Sequence, residues 1–310
     1  MLTEKRGFHS TESERCDIAQ GRLPHLTARP LPQRFDSSIC MTKISQEFLV
    51  GMVVDAGRIL LRHFGKVRGI RQKESASSVV CEADLASEDF IVRRIRRHFP
   101  HAGLIAEESG YAAGSEWTFV IDPLDGTSNF VAGLPWFGVQ VGVLKDGIPW
   151  SAAMYLPVER VLYFSERGRG VLRNGRRVGV SAETRLKNVL CAFGMDASAD
   201  RRERRRNADL VARVAGGVRN LRTTNSLFDF CYTLEGKFGA CVNLNCKIWD
   251  IVPVALMLPE AGGRFGDLAG KPIKFALGAQ DFGRSYQVMG ASRALHPRLA
   301  WIIRGTSARK

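Results

Sequence analysis

Residues 117–130 read WTFVIDPLDGTSNF, and this stretch is the most informative part of the sequence. An apolar, β-rich run leads into Asp122 and Asp125, and Gly126 and Thr127 follow at once. Carboxylates at a strand end can hold hard cations, because Mg²⁺ prefers oxygen ligands and is usually shared between one or two carboxylates and a substrate phosphate. The Gly-Thr pair offers free backbone N–H groups where a helix can begin, which suits a bound phosphate. The stretch therefore indicates metal-assisted phosphoryl chemistry.

Residues 122–126 are also typical of a plain surface turn, because proline fixes φ and Asp-Gly tolerates left-handed backbone geometry. Four further segments favour the chemical interpretation, since they bring more acidic residues to the ends of apolar runs. These segments are VVCEADL at 79–85, IAEESG at 105–110, KIWDI at 247–251 and LPEAGG at 258–263.

In this order and spacing the segments resemble the signatures D-P-[IL]-D-G-T-x-N-F and W-D…E-A-G-G of the inositol monophosphatase family, whose members are magnesium-dependent, lithium-sensitive phosphatases. The resemblance runs from about residue 44 to about residue 303. It implies an α/β (α+β) fold, the layered α-β-α-β-α sandwich of the inositol monophosphatase / fructose bisphosphatase type. It also implies a homodimer.

The resemblance implies a site for two to three Mg²⁺ ions. Glu107, Asp122 and the carbonyl oxygen of Leu124 would bind one ion. Asp122, Asp125 and Asp250 would bind a second, with Asp122 bridging the two, and a third, weaker ion would lie near Glu107. Two plainer interpretations stay open: Glu107 as a charged strand end, and Asp250 as the N-cap of an apolar helix.

Catalytic and substrate-binding roles follow from the same resemblance. Asp84 would pair with Thr127 and help to orient the attacking water beside Glu107, although Asp84 could also serve only as a helix N-cap. The backbone N–H groups of Gly126 and Thr127 would hold the phosphate. The expected substrate-binding residues are Asp125, Gly126, Thr127, Ser226, Asn243 and Asp250.

Several positions depart from the pattern of inositol phosphatases. Asn243 stands where these enzymes usually carry a glutamate that binds sugar hydroxyls, and Lys247 stands where some relatives have histidine. Asn225-Ser226 replaces a Gly-Thr/Ser pair. Because Asn243 removes an acid and Lys247 adds an amine, these positions favour a more anionic substrate, or one other than inositol phosphate. Residues 128–129, Ser-Asn, still favour the inositol branch over the bisphosphate nucleotidase branch, which tends to carry Lys-Glu.

The leading hypothesis is a magnesium-dependent phosphatase that hydrolyses a small phosphate monoester resembling inositol-1-phosphate, by means of a water molecule that the metal activates. Alternatives within this class are phosphatases for histidinol phosphate, a sugar phosphate or a phosphoadenosine nucleotide. None of the six histidines lies in a matched motif, which argues against a phosphohistidine enzyme. Gly270-Lys271 is followed by proline and lacks the upstream glycine of a phosphate-binding P-loop.

Charge motivates a hypothesis from another class, an RNA- or transcription-machinery-binding protein with a retained fold. The 310 residues carry a net charge of +14, and a basic surface attracts anions, including phosphorylated metabolites and nucleic acid. The cluster 201–206, RRERRR, has no interleaved aromatic residues for base stacking and could simply be a solvated helix start, so nucleic acid is not the favoured partner.

Seven cysteines without a C-x-x-C pair indicate reduced thiols and a cytoplasmic protein. No run approaches the roughly 18 apolar residues that a membrane span needs, so no membrane partner is expected. We expect residues 1–40 to be a disordered N-terminal extension. Residues 41–185 would form an α+β part with an antiparallel sheet and most metal ligands, and residues 186–310 an α/β part that supplies Asp250 and the substrate pocket.

Apolar periodicity predicts the elements within these parts. Helices are predicted at 42–63, 84–99, 200–215, 226–236 and 249–261. Strands are predicted into Glu107 and at 119–121, 137–144, 148–155, 161–165, 178–180, 189–193, around 242 and at 286–290.

Overall fold

The computed structural model describes residues 44–67, 69–72 and 79–305, and the predicted disordered extension at 1–40 lies outside these ranges. Residues 40–310 cluster as one unit, and the proposed boundary between residues 185 and 186 stays a prediction. Within the described residues, no helix has both the length and the apolar character needed to cross a membrane.

Two packed helices form the first layer, α1 (Gln46–His63) and α2 (Glu82–His98). α1 begins where the Ser45 hydroxyl accepts a hydrogen bond from the backbone N–H of Phe48 at 3.2 Å, which satisfies a donor that the first turn leaves free. Its buried side chains recur every three or four residues, so one face of the helix packs inward.

A short antiparallel pair, β1 (Arg71–Gln72) and β2 (Val79–Val80), precedes the eight-stranded mixed sheet that forms the second layer. The strands of this large sheet are β3 (Gly103–Ala106), β4 (Gly110–Ala112), β5 (Trp117–Asp125), β6 (Gly138–Lys145), β7 (Ile148–Leu156), β8 (Val161–Glu166), β9 (Val171–Arg173) and β10 (Arg176–Val178). Their order across the sheet is β10-β9-β8-β7-β6-β5-β3-β4. β3 and β5 are parallel and the other neighbours are antiparallel, so β6 to β10 form the predicted meander.

A five-stranded mixed sheet forms the fourth layer. Its strands are β11 (Leu190–Gly194), β12 (Asn220–Arg222), β13 (Ala240–Cys246), β14 (Gly263–Asp267) and β15 (Tyr286–Ser292). Their order across the sheet is β12-β11-β13-β15-β14. The remaining helices are α3 (Thr127–Val131), α4 (Arg201–Gly217), α5 (Leu227–Leu234), α6 (Ile248–Glu260), α7 (Ala279–Gly283) and α8 (His296–Arg304).

Three buried clusters show how the layers stack. The first cluster joins α1 and α2 to one face of the eight-stranded sheet. The second joins the other face of that sheet to α5, α6 and the five-stranded sheet. The third joins the five-stranded sheet to α4 and α8. Strand β5 alternates between two of them: Phe119 and Ile121 lie in the first cluster and Val120 lies in the second. The layered α-β-α-β-α fold is therefore confirmed.

The predicted elements are confirmed to within a few residues, with two kinds of difference. Short or edge elements without a strong period were not predicted, namely β1, β4, β9, β12, β14, α7 and α8. The strand expected to end before a turn at Asp122 instead continues to Asp125, and its pairing with β6 shifts between these two residues. A bulge re-aims side chains at a strand end, and here it lies beside the acidic cluster.

Candidate metal centre and active site

Three aspartates meet at the end of β5. Asp122 and Asp125 come from β5 and Asp250 from the first turn of α6, and one carboxylate oxygen of each lies within 4.8 Å of the others. Asp250 is the third residue of α6, and its Oδ2 accepts a hydrogen bond from the N–H of the N-cap residue Lys247 at 2.6 Å. The interpretation of Asp250 as an N-cap is therefore wrong, because its carboxylate reaches back from inside the first turn.

Neighbouring donors fix the two β5 carboxylates. Gln140 Nε2 donates to Asp122 at 3.3 Å and to Asp125 at 3.0 Å. The backbone N–H of Leu227, at the start of α5, donates to Asp125 Oδ1 at 2.6 Å, and the N–H of Leu124 donates to Asp122 Oδ1 at 3.1 Å. Sequence reasoning missed Gln140, although a lone amide inside the apolar strand β6 is the kind of buried polar residue that signals a site.

The cluster is electrostatically costly without a cation. Burial raises the pKa of Asp122, and the charges of Glu107, Asp125 and Asp250 raise it further. Burial likewise raises the pKa of Asp125 to about 7 and raises that of Asp250 well above its usual value. Groups whose ionisation burial and like charges oppose in this way are stabilised as carboxylates when a cation sits among them.

Glu107 and Leu124 lie at the same cleft. Glu107 directly follows β3, its backbone N–H donates to Ile121 O at 3.2 Å, and its charge contributes to the raised pKa of Asp122. The carbonyl oxygen of Leu124 accepts a hydrogen bond from Thr127 Oγ1 at 2.9 Å. The donor set is thus made of carboxylate and carbonyl oxygens, which are hard ligands that fit Mg²⁺ better than soft metals.

Asp84 and Thr127 are brought together from distant parts of the chain. Thr127 Oγ1 lies 3.1 Å from Asp84 Oδ1, and Asp84 is fully buried. The other oxygen, Oδ2, accepts from both the backbone N–H and the thiol of Cys81, each at 2.9 Å. Cys81 is the N-cap of α2 and Asp84 its third residue, so the N-cap interpretation of Asp84 is wrong. Cys81 was not predicted as part of the site.

Gly126 carries the chain from β5 into α3. It adopts φ 84°, in the left-handed region, and a Cβ placed there would lie 2.5 Å from the carbonyl oxygen of Trp136. Only glycine meets both demands without strain. Thr127 then begins the short helix, so the backbone N–H groups of Gly126 and Thr127 lie at the helix start that the sequence predicted.

The acidic cluster lies in a cleft of about 610 Å³ whose lining includes every predicted site residue except Asp84. Asn243, Lys247 and Ser226 belong to this lining, together with Asn225 and Asp196. The Asn243 amide oxygen accepts from the N–H of Asn245 at 3.0 Å, and Ser226 is the N-cap of α5. Sequence reasoning did not find Asp196, which has no motif around it.

Comparisons with known proteins agree with this geometry. The family model described as "Inositol monophosphatase family" matches residues 44–306. A Neisseria meningitidis serogroup B protein named putative Nus factor SuhB is 32% identical over 222 residues, which cover 70% of this chain and 84% of that protein.

An Aquifex aeolicus protein named fructose-1,6-bisphosphatase/inositol-1-monophosphatase is 33% identical over 243 residues, covering 77% of this chain and 88% of its own length. The crystal structure of the extragenic suppressor protein suhB from Bartonella henselae superposes with a TM-score of 0.75 at 28% identity, covering 83% of this chain and 97% of that one. Because the matched residues contain the whole acidic cleft as well as the layered fold, the chain belongs to the inositol monophosphatase family.

Proposed function

We propose that this chain is a magnesium-dependent phosphatase of small phosphate monoesters. The observation that carries the proposal is the approach of Asp122, Asp125 and Asp250 to within 4.8 Å, beside the helix start at Gly126 and Thr127. Three aspartates alone would repel one another, whereas two hard cations among them would stabilise them and could also be shared with the oxygens of a phosphate.

In this proposal different groups would bind the metal ions and the phosphate. Glu107, Asp122, the carbonyl oxygen of Leu124, Asp125 and Asp250 would hold two to three Mg²⁺ ions, which supply Lewis-acid stabilisation of the phosphoryl oxygens and lower the pKa of the attacking water. The N–H groups of residues 126 and 127 would bind the phosphate oxygens at a fixed distance from the ions.

Thr127 and Asp84 would orient the attacking water. The Thr127 hydroxyl has one hydrogen and two acceptors, Asp84 Oδ1 at 3.1 Å and the Leu124 carbonyl at 2.9 Å. Donation to Asp84 frees the Leu124 carbonyl for a cation and leaves the lone pairs of Oγ1 to accept a hydrogen bond from water. Because the two Cys81 donors hold Asp84 Oδ2, Oδ1 stays directed at Thr127.

An inositol-1-phosphate-like ester is one candidate substrate class, supported by the family and by the name of the Aquifex aeolicus relative. Esters of histidinol, sugars or phosphoadenosine nucleotides are alternatives, since Asn243 and Lys247 make this pocket less acidic. The test is phosphate release from a panel of such esters with magnesium and with a chelator. Magnesium-dependent release from at least one ester supports the proposal, and release from none contradicts it.

A role in RNA or transcription-machinery binding is a second candidate. Five exposed arginines lie at the start of α4, whose Glu203 lines the cleft, and one relative is named a putative Nus factor. Steeply salt-dependent RNA binding that survives Asp122→Asn would support this role. We also propose a homodimer and a cytoplasmic location, which size measurements and fractionation would test.

A further inference from the structure

Lys247 lies on the wall of the cleft, and its ammonium group has only neutral partners. Its backbone N–H is bound by Asp250, while Nζ lies 3.2 Å from Ser285 Oγ and 3.5 Å from the carbonyl oxygen of Gly283. An ammonium group has three N–H donors, so at least one remains for a ligand.

No carboxylate among the described residues forms an ion pair with the ammonium group of Lys247. Two Mg²⁺ ions would balance the four acids of the proposed metal centre. Of the other two lining acids, Asp196 accepts from Asn225 Nδ2 at 2.9 Å and Glu203 accepts from the Ser198 hydroxyl. Among the described residues that line the cleft, Lys247 is the one cation, and no described carboxylate pairs with it. The six lining acids are Glu107, Asp122, Asp125, Asp196, Glu203 and Asp250.

We propose that Lys247 binds a second anionic group on the leaving portion of the substrate, so that the preferred phosphate monoester also carries a carboxylate or another phosphate. This inference rests on the proposed phosphatase function and names its substrate class. A charge-assisted bond from an ammonium to such a group is stronger than a bond to a neutral hydroxyl. The lining residue Asn243 is neutral and adds no repulsion toward the anion.

Two matched pairs of esters isolate the second anion. Glycerol 2-phosphate and 2-phosphoglycerate differ only by a hydroxymethyl and a carboxylate group, and fructose 1-phosphate and fructose 1,6-bisphosphate differ by one phosphate. For each pair the measurement is the ratio of kcat/KM values, charged over neutral, in the native protein and in Lys247→Met. The backbone N–H that holds Asp250 is kept in this variant. Lys247→Arg retains the cation, and Lys271→Met removes an exposed lysine outside the cleft as a control.

We expect the native protein to favour the charged ester in at least one pair, and the pair that responds distinguishes carboxylate from phosphate. Lys247→Met should lower that ratio by at least about tenfold, mainly through KM, since bonds to charged groups are of this strength. Lys247→Arg should retain most of the ratio, and Lys271→Met should retain all of it.

The outcomes separate this inference from the proposed function. If the native protein hydrolyses no ester with magnesium, the phosphatase proposal fails and this inference fails with it. If hydrolysis is magnesium-dependent but both ratios are unchanged in Lys247→Met, only the inference fails. If Lys247→Met lowers kcat/KM equally for both members of a pair, Lys247 contacts the transferred phosphate. If Lys247→Met and Lys247→Arg lower the charged-over-neutral ratio equally, Lys247 contributes through its shape and not its charge. Either result overturns the proposal.

Discussion

At the scale of single residues, the protonation of three aspartates links stability to metal binding. The pKa of Asp125 is raised from 3.8 to about 7, and the pKa values of Asp122 and Asp250 are raised as well. A carboxyl whose pKa is raised in the folded state stabilises the fold below its unfolded pKa and loses that contribution as pH rises through the folded value. The metal-free protein should therefore lose stability between about pH 4 and about pH 7.

Magnesium should reverse this loss, because in the proposed site it would bind the ionised aspartates. We expect saturating magnesium to raise Tm more at about pH 8 than at about pH 5, where protons compete with the ion. Thermal unfolding with magnesium and with a chelator at both pH values is the measurement. An equal shift at the two pH values would argue that these carboxylates are not the ligands.

Thr127 should matter for turnover more than for metal affinity. Thr127→Ala removes the hydroxyl that lies between Asp84 and the Leu124 carbonyl, but it keeps the backbone N–H and every proposed carboxylate ligand. We expect a loss in kcat of at least about 10²-fold, the scale of one positioned proton-transfer group, with the magnesium affinity nearly unchanged. Kinetics and a magnesium titration on the same variant check both parts, and Ser128→Ala, one residue along α3, is the matched control.

Residue types in the motifs predicted the acids, but not the residues that hold them. Asp122, Asp125 and Asp250 were predicted because they lie in segments that together resemble the signatures of the inositol monophosphatase family. Gln140 donates hydrogen bonds to Asp122 and Asp125, and Cys81 donates to Asp84. Such contacts depend on strand register and on the exact start of α2. Sequence spacing does not contain that information.

At the scale of elements, Gly126 tests whether the turn between β5 and α3 shapes the phosphate site. Gly126→Ala would place Cβ 2.5 Å from the Trp136 carbonyl oxygen on a backbone with φ 84°. Gly133→Ala is a matched control, since φ is 76° there but no atom lies within 4 Å of the added Cβ. Backbone strain alone should cost each variant about 1–2 kcal/mol.

We therefore expect Gly126→Ala to be less stable than Gly133→Ala and to lose most phosphatase activity, because relief of the clash must move the helix start. Chemical unfolding and kcat/KM of both variants are the measurements. Equal stability and equal activity in the two variants would show that the turn at Gly126 does not constrain the site.

Element boundaries were predicted less well than element types, for a physical reason. The motif 122–126 favours a turn locally, yet β5 continues through it, because pairing with β6 resumes at Asp125 after a bulge. In α2 and α6 the conspicuous aspartate invited an N-cap interpretation, whereas a cysteine and a lysine occupy the caps. Tertiary contacts determine where α2 and α6 begin, and the local sequence preference for helix does not contain this information.

At the scale of the whole molecule, lithium tests whether the site behaves as the family resemblance implies. Lithium would occupy the weaker cation position near Glu107 after hydrolysis and hinder phosphate release. We expect inhibition at millimolar-scale concentrations that is uncompetitive with substrate. Initial rates over a grid of lithium and substrate concentrations give the pattern. Full magnesium dependence with complete indifference to lithium would contradict the proposed third site.

The layered order was predicted because the motifs resemble those of a family with that architecture, and the elements predicted from apolar periodicity matched it. The cleft was not, because its walls come from the five helices α3 to α7, from both sheets and from the loops between them. Asp196 and Glu203 line it from segments that carry no motif, so the leaving-group side depends on the packing of the whole chain.

The central proposal is that Asp122 would help to hold the cations used in catalysis. Its most direct test is phosphate release by Asp122→Ala over a magnesium titration, with Asp89→Ala as a control for loss of an exposed aspartate. The account predicts a fall in kcat/KM of at least about 10³-fold, or roughly 4 kcal/mol of transition-state stabilisation, in a variant that stays folded, and near-native activity in the control. Near-native, magnesium-dependent turnover by folded Asp122→Ala would contradict it.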